Sequence, residues 1–387
     1  MQLEMQCAEW VSRLVQIPSV TPDQAGPRAG ETGEAAIGRQ IAQWFNELGG
    51  EVHVQGVRPG RANVYGIWRG TSERWLAVDV HIDTVGVEQM SDPPFDGRIE
   101  DNRVYGRGAV DTKASLGIIL ALLEQMQQTG QRPAYNLLIG ATVDEEIGTT
   151  GAPAFASWMA ARQIVAEQMI IAEPTLCTPV HGHKGVVRLL IDVAGKAAHS
   201  SQPHRGQNAV VAAARLVLAL DAENARLQTA PATPLGHAYL TPTVIHGGVG
   251  INVVPDACQL FVDRRVVETE DAHTVMTNLV ALAQANCPLP IEVKVQKDLD
   301  AFYQPGDSAW MQQLADWSGI APEVAPYGTN AWAYPNVARE RVVMGPGSID
   351  QAHGATEWVE ISQLAKMAHI YQQWWGIAES VDRNDER

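Results

Sequence analysis

Three apolar runs in this chain stop directly on acids or an imidazole. WLAVDV (residues 75–80) runs into His81-Ile82-Asp83, NLLIGATV (136–143) into Asp144-Glu145-Glu146, and QMIIA (168–172) into Glu173-Pro174. Short apolar runs of this length read as buried strands, and open α/β sheets bind ligands outside the carboxyl ends of their strands. One such coincidence is the ordinary surfacing of a buried strand. Three together put His81, Glu146 and Glu173 at one edge and predict a site there. The segment SLGIILALLEQM, within residues 112–128, reads as a buried helix between two of these strands. Strand–helix alternation of this kind makes the expected fold class α/β with a mostly parallel sheet.

The donor types narrow the chemistry. His, Asp and Glu without cysteine suit zinc, manganese or cobalt, and clustered carboxylates repel one another unless a cation sits among them. Asp83 lies two residues beyond His81, on the same side of an extended segment. It is placed to accept a hydrogen bond from the His81 ring nitrogen that faces away from a metal, although alone it reads as a turn residue. The segment GRGAVDTK (106–113) precedes the buried helix. Asp111 within it reads as a helix N-cap or as a further ligand. The segment lacks the third glycine of a dinucleotide fingerprint and the GK[ST] of a phosphate loop. No G-x-S-x-G nucleophile elbow occurs anywhere in the chain.

At 387 residues the chain has room for two domains. Its texture changes near His183. Residues 184–195, 239–248, 257–267 and 291–296 read as strands, and 207–227 and 271–287 as helices. That β-α-β-β-α-β order predicts a compact α+β unit at 184–297, inserted into an α/β domain made of 1–183 and 298–387. The net charge of −16, with no Lys/Arg run, excludes nucleic acid as the expected partner. No segment has the apolar length of a membrane span, and residues 1–17 read as an amphipathic helix, not a targeting peptide. The four cysteines form no C-x-x-C pair. They read as reduced, buried thiols of a cytoplasmic protein.

Taken in order, HIDTV, GRGAVDTKASLG, DEEIGTTGA, AEPT, the H-S-S-x-P-H-x-G-x-N-A stretch, INVVPD and QAHGATEW resemble the co-catalytic zinc aminoacylase/carboxypeptidase family. The resemblance covers nearly the whole chain. That family includes acetylornithine deacetylase, succinyl-diaminopimelate desuccinylase, aminoacylases and glutamate-releasing carboxypeptidases. The resemblance implies a zinc-peptidase-like α/β catalytic domain with an inserted ferredoxin-like α+β domain for dimerisation. It implies two zinc ions, with cobalt or manganese as substitutes. Asp111 would bridge both, His81 and Glu173 would complete one site, and Glu146 and His353 the other. Glu145 would be the general base, Asp83 the partner of His81, and the Asp111–Thr112 peptide would be cis.

In the inserted domain, the resemblance makes His199 a donor to the scissile carbonyl, usually in the partner subunit's site, which implies a homodimer. Asn252 and Arg265 match positions that contact the substrate carboxylate. Arg264, beside Arg265, reads as a surface residue. Two departures stand out. VVETED follows Arg265 where the family has a Pro-Gly turn, and Asn330 replaces an acidic residue in G-T-N-A, an exchange expected to bear on substrate preference. Gly345-Pro346-Gly347-Ser348 reads as a backbone-lined pocket wall or as plain turn. The implied activity is hydrolysis of the amide bond in an N-acyl amino acid, most like acetylornithine deacetylase or succinyl-diaminopimelate desuccinylase. The alternative is a dipeptidase or glutamate-type carboxypeptidase with the same metal residues. An inactive binding paralogue is disfavoured, because the five ligands and Glu145 are all present.

Overall fold

The three apolar runs lie side by side in the computed structural model, which describes residues 2–377. The strand Trp75–His81 pairs in parallel with Asn136–Thr142 on one side and with Ala166–Ile171 on the other. Ala338–Val343 continues the sheet in parallel beyond Ala166–Ile171. The register sets His81 opposite Thr142 and Asp79 opposite Ile171, so the three carboxyl ends are level. The sheet is mixed at its far side. The hairpin of Glu51–Arg58 and Arg61–Trp68 joins Asn136–Thr142 antiparallel. Val78, Val80, Ile139, Ala141 and Ile170 are buried in one core with the helices.

The helix Lys113–Thr129 is buried on nearly every side and ends at Gly130 in the left-handed conformation. It packs against Gln2–Val15 and Ile361–Trp375, so segments from both ends of the chain cover it. Gly117 permits a close approach: a β-carbon there would lie 2.5 Å from Val11 Cγ2 and 2.9 Å from the Val11 backbone nitrogen. These elements belong to a unit that takes in the chain up to His181, Gln304–Glu323 and the segment from Thr329 onward.

The second unit comprises Gly182–Tyr303 and Val324–Gly328. Its four antiparallel strands stand in the order Tyr239–Gly247, Ala257–Val266, Gly185–Ala194, Ile291–Leu299. With the helices Ala209–Thr229 and Ala272–Asn286 in sequence between them, this is the ferredoxin-like arrangement. Both helices start where a side chain can cap them: Asn208 accepts from the Val211 N–H and Asp271 from the Thr274 N–H. Alternate residues of Ala257–Val266 are buried against the helices. Arg264 falls on that buried face, correcting its reading as a surface residue. It is 5% exposed and donates to Glu270 at 2.5 Å. The four cysteines are free thiols, three of them buried. No helix among the described residues is long and apolar enough to cross a membrane.

Replacing Gly117 by valine is expected to destabilise the first unit by about 1–3 kcal/mol, the usual cost of overpacking. A lowered urea midpoint reads this directly. An unchanged midpoint would mean that Lys113–Thr129 and Gln2–Val15 do not meet at this point.

Candidate metal centre

His81 is the last residue of its strand, Asp144 to Glu146 follow Asn136–Thr142, and Glu173 follows Ala166–Ile171. Level strand ends therefore bring them together. Asp111 arrives from the loop before Lys113–Thr129, across a cis peptide to Thr112. His353 arrives from the loop after Ile349–Gln351, with a left-handed φ of 60°. Two donor clusters result: His81, Asp111 and Glu173, and Asp111, Glu146 and His353, each with ligand atoms within 4.8 Å of one another. Asp111 is common to both. Its Oδ1 lies 3.0 Å from His81 Nε2, and its Oδ2 lies 3.1 Å from His353 Nε2. His353 Nε2 is also 3.2 Å from Glu146 Oε2.

These residues fit two cations. The donor set is imidazole and carboxylate throughout, which suits zinc. Glu146 Oε1 is buried without a hydrogen-bond partner among the described residues, as expected of an oxygen meant for an ion. The remaining ring nitrogen of His81, Nδ1, donates to the backbone carbonyl of Asp83 at 3.0 Å, which directs Nε2 at Asp111. The Asp83 carboxylate is farther from that ring, at 3.6 Å. Its oxygens accept from the backbone N–H groups of Glu145 (3.0 Å) and Glu146 (3.2 Å). Asp83 thus orients His81 mainly through its main chain and the Glu145–Glu146 turn through its side chain.

The charges explain the protonation tendencies. Burial raises the pKa of Glu173 well above the usual carboxylate value, and Glu145, Asp111 and Glu146 push the same way against His81. Burial and Asp111 likewise raise Glu146. Glu145 is pushed up to about 8 by burial and by Glu146, Asp83 and Asp111, with His81 opposing. Burial alone would lower His81, but its hydrogen bonds and the surrounding carboxylates hold it well above its ordinary value. Hydrogen bonds to Asp111 and Glu146 raise His353 to about 10. Burial would raise Asp111, yet the two imidazoles hold it below the usual carboxylate range.

Several residues that shape this centre carry no periodic or spacing signal. Glu357 accepts from the Val110 and Asp111 N–H groups with Oε1 (3.1 and 3.2 Å) and from Arg107 with Oε2 (2.6 Å). Arg107 also donates to the Gly354 carbonyl beside His353, at 3.3 Å. Arg107 and Glu357 thereby tie the Asp111 loop to the His353 loop. Both stand inside the quoted motifs, GRGAVD and QAHGATEW, so the motifs were the available signal. Beneath His81, the buried Asp79 accepts from Thr142 Oγ1 (2.6 Å) and Tyr334 Oη (2.7 Å), and Asn330 hydrogen-bonds to it as well. Asn330 is 1% exposed. An amide rather than an acid at 330 avoids a second buried carboxylate against Asp79. Gly345 abuts the backbone after Glu173: Thr175 and Cys177 donate to its carbonyl at 3.3 and 2.8 Å. A β-carbon at 345 would lie 2.5 Å from the Glu173 carbonyl oxygen, so the Gly-Pro-Gly segment is a buttress for Glu173. Beside His353 opens a cavity of about 380 Å³, lined also by Gln24, Gly86, Glu88, Gln89 and Arg107.

His199, Asn252 and Arg265 lie in the second unit. His199 pairs with Val253, and the Asn252 carbonyl accepts from the Ser200 N–H at 2.9 Å, so the first two share one turn region. The exposed His199 ring accepts the Ser201 N–H at Nδ1 (3.1 Å), with Ser201 Oγ 2.8 Å away. An N–H donating to Nδ1 leaves the proton of the neutral ring on Nε2. Arg265 stands on the sheet face opposite Arg264, donating to Asp263 at 2.8 Å. At about 3.4 Å per residue the strand from Ala257 to Arg265 spans roughly 27 Å, so Arg265 is at the far end of this unit from the His199 turn.

Zinc binding to the metal-stripped protein is expected to release protons. His81, His353, Glu146 and Glu173 all hold protons to a higher pH than usual, and a cation must displace them. Affinity should therefore rise with pH. Titration calorimetry near pH 7 in two buffers of different ionisation enthalpy reads the release directly. Proton uptake, or affinity falling as pH rises, would contradict this arrangement.

The sequence profile described as "Peptidase family M20/M25/M40" matches residues 77–376. An acetylornithine deacetylase of Vibrio vulnificus is 31% identical over 340 residues, covering 85% of this chain and 88% of its own. One from Salmonella arizonae is 30% identical over 366 residues, 90% and 91% of the two chains. Among solved structures, an M20 family metallo-carboxypeptidase from Sulfolobus solfataricus aligns with a TM-score of 0.80 at 16% identity, over 96% of this chain and 99% of its own. A tripeptidase from Staphylococcus aureus aligns with a TM-score of 0.76 at 20% identity, over 96% and 97%. At those identities the structural likeness carries the fold, while the profile and the deacetylases carry the family. The chain belongs to the peptidase family M20/M25/M40 and is a metallohydrolase of that family.

Proposed function

We propose that this protein hydrolyses the amide bond of an N-acyl amino acid, with acetylornithine deacetylase as the nearest named activity. The observation that carries the reading is the Asp111 carboxylate, one oxygen toward each imidazole of two donor clusters. The similarity to acetylornithine deacetylases over 85% and 90% of this chain favours a deacylase. The dipeptidase or carboxypeptidase alternative shares every metal residue, and the solved structures of similar fold include peptidases.

His81, Asp111 and Glu173 would hold one zinc ion, and Asp111, Glu146 and His353 the other. Zinc bound there supplies Lewis acidity and makes water acidic enough to lose a proton near neutral pH. Glu145 takes the water's proton and hands it to the leaving nitrogen. Burial raises its pKa, the direction that lets a carboxyl keep a proton between two transfers. A cation nearby favours its carboxylate form at the start. His199 presents Nε2–H outward, the form able to stabilise negative charge developing on the scissile carbonyl.

Sharing of His199 between two subunits is part of the same reading. Arg265 and the His199–Asn252 turn stand at opposite ends of one second unit, so two copies are needed for both to meet a small ligand. Among the described residues, Tyr239–Gly247 is an outer strand paired on one side only, and it exposes Tyr239, Val244 and Ile245. The helix packed on it exposes Leu218. An apolar sheet edge of this kind suits a homodimer.

A panel of N-acetyl and N-succinyl amino acids and dipeptides tests the activity. Release of the acyl group supports the reading, and cleavage of dipeptides alone overturns it. Glu145→Ala is expected to lower kcat by about 10²–10⁴, the worth of a general base, with zinc content near that of the wild type. Loss of zinc with full activity per bound ion would remove Glu145 from that role. His199→Ala is expected to lower turnover with the dimer intact, and mixing it with Glu145→Ala to restore activity in hybrid dimers. Absence of restoration would contradict sharing.

A further inference from the structure

The backbone of the turn that carries Glu145 and Glu146 is held by carboxylates at three successive positions. The Asp144 N–H donates to Glu34 Oε1 at 3.1 Å, the Glu145 N–H to Asp83 Oδ1 at 3.0 Å, and the Glu146 N–H to Asp83 Oδ2 at 3.2 Å. The turn needs such outside support, because Asp144 has a left-handed φ of 65°, a region unfavourable for a residue with a β-carbon. Both acids, and Asp144 itself, converge on one guanidinium. Arg61 Nε donates to Glu34 at 2.8 and 3.0 Å, with Nη2 on the same carboxylate. Arg61 Nη1 donates to Asp144 Oδ1 at 2.7 Å, and Nη2 lies 3.7 Å from Asp83 Oδ2. The Arg61 side chain is 6% exposed, and those of the three acids are fully buried. Arg58 also reaches Asp144, but from a side chain that is 43% exposed.

We propose that Arg61 is a positioning residue for the Glu145–Glu146 turn, holding Glu34, Asp83 and Asp144 in the arrangement that fixes the backbone of residues 144–146. A planar fork is required for this. Three acids approach Arg61 from different sides, and only a guanidinium has donors spread in fixed directions to meet them. A lysine would supply the charge without the geometry. Charge compensation stabilises the fold, whereas fork geometry aims Glu145 and Glu146, so the two contributions are separable. The inference rests on the roles proposed above for Glu145 and Glu146.

The test compares Arg61→Lys with the wild type in three measurements: thermal midpoint after metal removal, two-step zinc binding, and kcat and KM on whichever amide the wild type cleaves. Arg61→Lys is expected to keep its midpoint within a few degrees while kcat falls about 10- to 100-fold, as for a small misplacement of a catalytic group. KM should change less than about twofold, because ground-state binding is not the contact removed. The zinc step that Glu146→Ala abolishes should weaken, and the other step should not. Unchanged kcat and zinc binding in Arg61→Lys overturn the proposal, as does a loss of kcat in proportion to the loss of folded protein. Should Arg61→Lys fail to fold, Arg61→Met combined with Glu34→Gln removes one charge of each sign and carries the same expectations. Failure of both variants to fold would assign Arg61 to the fold alone and overturn the proposal as well. A wild type that binds no zinc would instead overturn the underlying reading of Glu145 and Glu146.

Discussion

The Asp111 carboxylate, buried between His81 and His353 with one oxygen toward each, sets the terms for everything around it. A carboxylate can face two ligand sets at once only if its backbone is fixed and both imidazoles arrive from different directions. The fold meets the first requirement with Glu357, which takes the N–H groups of Val110 and Asp111, and with the buried helix that starts two residues later. It meets the second with two kinds of scaffold. His81 comes off a central strand, and His353 off a loop tied through Arg107 to the loop bearing Asp111. The same arrangement makes the two clusters unlike: His81, Asp111 and Glu173 are all buried, whereas His353 is exposed.

Crowding acids in a buried place is costly unless each charge is compensated. Two solutions operate side by side here. Around Glu34, Asp83 and Asp144 the compensation is a fixed cation, Arg61, hydrogen-bonded to Glu34 and Asp144 and 3.7 Å from Asp83 Oδ2. Asp111 and Glu146 instead face the imidazoles of His81 and His353, and among the described residues Glu146 Oε1 has no hydrogen-bond partner. Burial and mutual repulsion accordingly raise Glu145, Glu146 and Glu173. The first group is compensated within the fold, and the second is the one that the proposed function assigns to metal ions. Asp83 joins them, since its carboxylate belongs to the fixed network while its carbonyl orients the His81 ring.

The strand ends were legible because a buried strand must change character where it meets the site, and three did so on ligand-type residues. The long helix and the alternating faces of the second unit were legible for similar reasons. Asp111 and His353 were readable only through motif resemblance, since a loop position has no period to betray it. Asp83 was read as a partner of His81 through its carboxylate. Two residues along an extended segment return to the same side of the chain, but the Asp83 carbonyl lies nearer His81 and the carboxylate is engaged by the Glu145 and Glu146 N–H groups. Arg264 was misread because an arginine on a strand passes for surface, and only the pairing with Glu270 across the helix-facing side reveals otherwise. Arg61, Glu34 and Glu357 could not have been found by spacing. Their partners are distant in sequence, and their function exists only once the strands are assembled. The contact of Asn330 with Asp79 was likewise out of reach, because the two are far apart in sequence and meet only in the folded chain.

The central claim is that one carboxylate joins two metal sites. Anomalous diffraction at the zinc edge from crystals of the zinc-loaded protein tests it most directly. The account predicts two peaks, one among His81, Asp111 and Glu173 and one among Asp111, Glu146 and His353, with one oxygen of Asp111 directed at each. A single peak, or two peaks of which one lies away from Asp111, would contradict it.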